Sequence, residues 1–431
     1  MTKPLLALSL VLLLGCAPGR GHAVEEIRVW HAMSGAVGAS FDRLVARFNE
    51  SQKDYRVRSF FQDPYDEVLA DELDVSKRMG DAPHVLQVHD AGTADMLRSG
   101  AARPLWQVLD DSGVRLDARY LPAVATYFSD EAGRLLALPF GGSTPVLYYN
   151  RAAFRKAQLD PSRPPRTWYE MPRMLASLVE AGQDCALTTA RQSWVLVENM
   201  SAWHNQQFAT QANGMAGGNA RLAFNTRLMV RWISTLSTWN KSGYYSPSGR
   251  RDDAVARFAA GECAMLTAAS ATYAQLRDSG RLDFGVAPLP YYEDFDEAPQ
   301  NTLIGGSGFW PLEGKRPSEY RGVARFLVFL ARPDVQADWH QETGELPLTA
   351  AGYELSRKQG YYISNPDHEV AVRQLLVKPT EDSKGVRLGG LRRIRDIIDE
   401  ELDGVWVGSK TPLDALNAAV KRGNAVLEAA R

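Results

Sequence analysis

The stretch "FGGSTPVLYYN", Phe140 to Asn150, sets two glycines and two hydroxyls directly before an apolar run with paired tyrosines, and "RAAF" then begins a helix. Small residues at Gly141, Gly142 and Ser143 let main chain and hydroxyl come close to a ligand, and glycine absorbs the φ/ψ change of a hinge. The strand behind them anchors a second body. The segment reads as a hinge between two lobes that also walls a cleft.

The surrounding pattern supports two lobes. At 431 residues the chain is too long for one ordinary core. From residue 24 onward, short apolar strands ("EIRVW", "YRVRSFF", "HVLQV", "CALTTA", "CAMLTAA", "FGVAPLP") alternate with helical stretches. One of these sets Val37, Phe41, Leu44, Val45 and Phe48 on one face, another runs from about Tyr65 to Met79, and a third lies around Leu228 to Trp239. Strands alternating with helices predict an α/β fold with parallel sheets. A second small, polar segment, "APQNTLIGGSGFW" (Ala298 to Trp310), and a third extended one, "ELPLT", predict two further crossings. The expected lobes are 24–142 plus 305–345 and 146–298 plus 350–431, with hinges near 141–146, 299–304 and 345–350.

The N-terminus sets the compartment. Lys3 precedes the apolar run Leu5 to Leu14, which is far shorter than the ~20 residues of a membrane span. Residues 1–15 therefore read as a signal peptide, and "LLGC" resembles a bacterial lipobox that makes Cys16 the lipidated first residue. The alternative is ordinary cleavage after Ala23; both export the protein. Of the remaining cysteines, Cys185 and Cys263 each begin a strand, either bridged or as two buried thiols in neighbouring strands. The net charge of −2, with interspersed signs, argues against nucleic acid or an acidic membrane as partner.

Catalytic patterns are not found. The seven histidines form no metal-ligand spacing, and no metal or cofactor is expected. "GSKT" (Gly408 to Thr411) lacks the strand and spacing of a phosphate loop and reads as a helix cap. There is no G-x-S-x-G elbow, and "YEDFDEAP" (Tyr292 to Pro299) reads as a solvated loop.

Beyond these local readings, the chain resembles the periplasmic solute-binding proteins of ABC importers, the large maltose-binding-like class. Within it, the chain is similar to the glycerol-3-phosphate-binding branch. The blocks that carry the likeness are "VWHAMSG", "VLQVHDAGTADM", "GGSTPVLYYN", "PPRTW", "ENMSAW", "GECAMLTAAS", "APQNTLIGGSGFW", "ADWHQETGELPLT" and "GLRRIRDIIDEELDGVWVGSKTP". The resemblance implies a non-enzymatic, monomeric protein with two lobes and three crossings. It would hold sn-glycerol-3-phosphate or a glycerophosphodiester such as glycerophosphocholine in the cleft and hand it to permease subunits. The alternatives are a sugar- or polyol-binding protein of the same fold, or an extracytoplasmic hydrolase, which would need a base and nucleophile that the sequence does not offer.

It also implies site residues. Tyr65 stands where a tyrosine contacts ligand, or caps the helix after it. Asp90 stands where an acid takes the glycerol hydroxyls, a carboxylate being able to accept from both; capping the next helix is its other role. Ser143 matches a hinge serine, Gly306 a backbone donor, and Trp168 a wall tryptophan that would otherwise be core. Arg395 matches the arginine that holds phosphate through forked donors; spacing alone would pair it with Asp399. Two positions depart from the pattern. Ala269-Ser270-Ala271 replaces a Ser-Ser-Gly run, leaving Ser270 as its hydroxyl, and Glu345 replaces a tyrosine. A carboxylate there points away, pairs with a cation, or receives the ammonium of a choline or ethanolamine diester.

Overall fold

Nine strands divide between two sheets in the computed structural model, which describes residues 24–62, 82–377 and 379–430. Those of the first sheet are β1 (Glu25–His31), β2 (Tyr55–Phe61), β3 (Val85–His89), β4 (Leu138–Ser143) and β9 (Gly305–Pro311), in the order β2-β1-β3-β9-β4. The second holds β5 (Pro145–Asn150), β6 (Cys185–Thr189), β7 (Cys263–Ala269) and β8 (Phe284–Ala287), in the order β6-β7-β5-β8. Helices cover both sheets. The helix Gly35–Ser51 turns Phe41, Leu44, Val45 and Phe48 inward to meet Phe309 and Phe326, as the 3.6-residue period requires. The helix expected from Tyr65 and the leader lie outside the described residues.

The expectation of parallel sheets needs correction. β1 pairs parallel with β2 and β3, and β6 with β7, but β9 runs antiparallel to β3 and β4, and β5 antiparallel to β7 and β8. The cause is the crossings. β5 and β9 each enter a sheet from the other one, so no crossover helix fixes their direction relative to their neighbours.

The opening stretch is also more regular than its composition suggests. "FGGS" ends β4 rather than forming a loop, and Thr144 alone separates β4 from β5. Thr144 is fully buried, its hydroxyl bonded to that of Thr302 on the second passage, and its amide donates to Ser270 Oγ at 3.1 Å. The third segment runs alongside, with the Leu346 amide bonded to Gly142 O at 2.8 Å. Glycine is required where these passages touch. Gly306 has φ 135°, and a Cβ there would lie 2.2 Å from Gly141 O.

Cys185 and Cys263 are bridged, and this settles the open alternative. They face each other in the β6–β7 register with Cα atoms 4.4 Å apart. Thr411 caps the last helix, accepting from Asp414 N, as "GSKT" suggested.

Candidate ligand-binding cleft between the two sheets

A cleft of about 860 Å³ opens between the sheets, within the ~300–1,000 Å³ common for small-molecule sites. Five of the sequence-derived residues line it: Asp90, Ser143, Gly306, Glu345 and Arg395. Ser143 and Gly305 are paired where β4 meets β9, so the floor is built from the crossing itself.

Two expected residues lie elsewhere. Trp168 does not line the cleft; it is 5% exposed and packs against Trp232 with ring centroids 4.2 Å apart and planes tilted by 40°, inside the core behind the second sheet. Ser270 is spent on the crossing, accepting from Thr144 N and donating its amide to Thr144 O at 2.8 Å. Tyr65 lies outside the described residues.

Two tryptophans line the cleft, Trp339 and Trp194; the wall beside β9 is Trp194. It sits on the π-helical turn Ser193–Asn199 and covers Gly305 so closely that a Cβ there would meet its ring at 2.7 Å. A π turn adds a residue to the helical repeat and shifts which side chains share a face. No sequence period marks it, and "SWVLVENMSAW" offers no cue beyond its two tryptophans.

Arg395 is the electrostatic centre. It projects from the helix Leu391–Trp406, and instead of pairing with Asp399 it reaches two buried acids from other elements. Its Nε donates to Glu198 Oε1 at 2.6 Å, and its Nη2 to Glu198 Oε2 at 2.8 Å and to Asp90 Oδ2 at 2.7 Å. Asp399 instead accepts the Ser193 amide at 2.9 Å. Asp90 opens a short 3-10 turn without capping it by side chain and contacts the His89 ring. Burial alone would raise the Asp90 pKa, but the Arg395 guanidinium and the His89 ring hold it well below the usual carboxylate range. Burial pushes Glu198 up against the opposing pull of Arg395. Burial would lower Arg395, yet its two acids raise it well above normal. Among the described residues Arg395 Nη1 makes no hydrogen bond. Glu198 was missed in the sequence, although a lone acid in the apolar run "WVLVEN" signals a buried charge needing a partner.

Glu345 does not point away. It lines the cleft, and no cation pairs with it among the described residues. Burial pushes its carboxyl up to about 7, with the Gly142 amide opposing.

A family model described as bacterial extracellular solute-binding protein matches residues 43–362. The chain is 45% identical over 408 residues to the sn-glycerol-3-phosphate-binding periplasmic protein UgpB of Yersinia pseudotuberculosis, covering 94% of this chain and 93% of that one. The counterpart in Salmonella paratyphi A is 45% identical over 412 residues, covering 95% and 94%. Two solved structures share the fold. UgpB from Mycobacterium tuberculosis in complex with glycerophosphocholine gives a TM-score of 0.79 at 24% identity, covering 94% of this chain and 99% of that one. The cyclic alpha-maltosyl-1,6-maltose binding protein of Arthrobacter globiformis gives 0.78 at 21%, covering 94% and 100%.

Proposed function

The chain belongs to the bacterial extracellular solute-binding proteins, and from that premise we propose that it captures sn-glycerol-3-phosphate or a glycerophosphodiester such as glycerophosphocholine. It works as a monomer in the periplasm and delivers the ligand, without turnover, to the membrane subunits of an ABC importer. The observation that carries this reading is 45% identity, sustained over 94% of the chain, to a protein named for binding sn-glycerol-3-phosphate. The cleft supports it chemically. Trp194 offers an apolar face to a carbon skeleton, Ser143 and the Gly306 backbone offer donors, and the Arg395 guanidinium offers its charge to an anion. Asp90 trades its bond to Arg395 for the glycerol hydroxyls, which frees further guanidinium donors for phosphate.

Calorimetric titration tests this reading. sn-Glycerol-3-phosphate and glycerophosphocholine are expected to bind 1:1 and to be recovered unchanged. Binding of maltose or a polyol, with neither phosphate ester bound, would replace the glycerol-phosphate assignment by a sugar-binding one.

The lipobox extends the proposal to the cell. Cys16 is lipid-modified and, once residues 1–15 are removed, becomes the first residue of the mature protein, which is held at the membrane. No helix among the described residues is long and apolar enough to cross a membrane, so Cys16→Ala should move the protein to the soluble fraction. A variant still bound to membranes would rule the acyl anchor out.

A further inference from the structure

Glu345 follows Gly344, which ends the helix Pro333–Thr343 with φ 78° and turns the chain into the third crossing. The main chain there is tied on every side. Glu345 O accepts from His340 Nδ1 at 2.6 Å, its amide donates to Thr343 Oγ1 at 3.2 Å, and the next amide bonds Gly142 O. The side chain faces the cleft, its carboxylate accepting from the Gly142 amide, with Oε2 lying 3.7 Å from where a Cβ on Gly141 would sit. Among the described residues no counter-ion pairs with the carboxylate: of the other arginines that line the cleft with Arg251 and Arg392, Arg191 bonds Asp252 and Arg250 bonds Asp403. His340 and His368, stacked 4.4 Å apart behind the crossing, are both held neutral by burial, with Arg277 nearby and opposing their charging; Tyr362 bonds His340. Across the cleft, Arg395 is already bonded to Asp90 and Glu198, and His89 contacts Asp90.

We propose that Glu345 selects among glycerol phosphate esters by changing its own charge, entering the complex protonated with a phosphate monoester and ionised with a diester that carries an ammonium group. The inference rests on the glycerol-phosphate reading of the cleft. A carboxylate repels a phosphate dianion, whereas the neutral acid donates its O–H to a phosphate oxygen. An ammonium reverses the preference. Because burial places the carboxyl at about 7, either form is accessible near neutral pH. The sign follows from linkage. A monoester raises the pKa, takes up a proton and binds better as pH falls; the cationic diester lowers it, releases a proton and binds better as pH rises.

Titrations of sn-glycerol-3-phosphate and glycerophosphocholine at pH 7, in buffers of different ionisation enthalpy, read this directly. Relative to Glu345→Gln, wild type should take up about half a proton with the monoester and release about half with the diester. The variant serves as reference because a monoester's second ionisation lies near ~6, and because burial also pushes Asp399, on the cleft wall, to about 7. In wild type and in Asp399→Asn, glycerophosphocholine affinity should rise about tenfold from pH 6 to pH 8; this holds the test if Glu345→Gln folds poorly. Equal proton counts in wild type and Glu345→Gln, or a flat pH profile for the diester, overturn the proposal while leaving the cleft assignment standing. Failure of both esters to bind wild type removes the assignment and this inference together.

Discussion

Arg395→Ala is expected to lose measurable affinity for either phosphate ester and to unfold more easily, each by about 3–5 kcal/mol, as for one partner removed from a buried ion pair. The guanidinium holds two buried acids at once: Asp90 is 5% exposed and Glu198 1%. Without it both carboxylates are stranded in a low-dielectric wall. The pH dependence distinguishes this from a simple packing defect. In wild type, Asp90 has a depressed pKa, so its contribution is present above the ordinary carboxylate value and is lost as pH falls. In the variant both acids would have raised pKa values. The folded state would then bind more protons than the unfolded chain, and stability would be lost as pH rises. Thermal melts at pH 5 and pH 8 should therefore show a variant relatively weaker at pH 8. A variant with wild-type melts and affinities would remove Arg395 from the site.

Two tryptophans should separate folding from binding. Trp168→Ala opens a cavity in the core and is expected to cost about 3–5 kcal/mol of stability, with ligand affinity of the surviving folded protein unchanged. Its indole N–H makes no hydrogen bond among the described residues, so Trp168→Phe should be far milder. Trp194→Ala should do the reverse, weakening ligand binding by about 2 kcal/mol, as for a buried aromatic anchor, and shifting the melt less. Denaturant unfolding combined with calorimetry of all three variants checks the contrast. A Trp168→Ala protein that folds normally but loses the ligand would restore that residue to the cleft wall.

These contrasts mark how far the sequence could be read. Period and composition made the strands, the capped helices and the glycine-rich passages legible, because apolar spacing and φ-permissive residues are local properties. The direction of β5 and β9 was not legible, since it depends on which sheet a strand enters after a crossing. Arg395 and Asp90 could be named singly, but their bond spans elements 305 residues apart. Glu198, the third member, carried its signal only as an acid where none should be buried. Trp168 was misplaced because "PPRTW" identifies a tryptophan without saying which face its ring takes, and the π turn that presents Trp194 has no sequence period.

The position of β9 also sets the order in which the molecule can assemble. It lies between β3 and β4, with Gly306 opposite Gly142 and Trp310 opposite Leu86. Until the chain has been made past Pro311, β3 and β4 have no common neighbour and the first sheet stands in two pieces. Pairings this distant form slowly, because loop-closure entropy is lost before the contacts compensate for it. The first sheet therefore closes only after every strand of the second has been made, and until then β3 and β4 each keep an open edge. Those open edges are where the incomplete chain is most prone to pair with a strand other than its own.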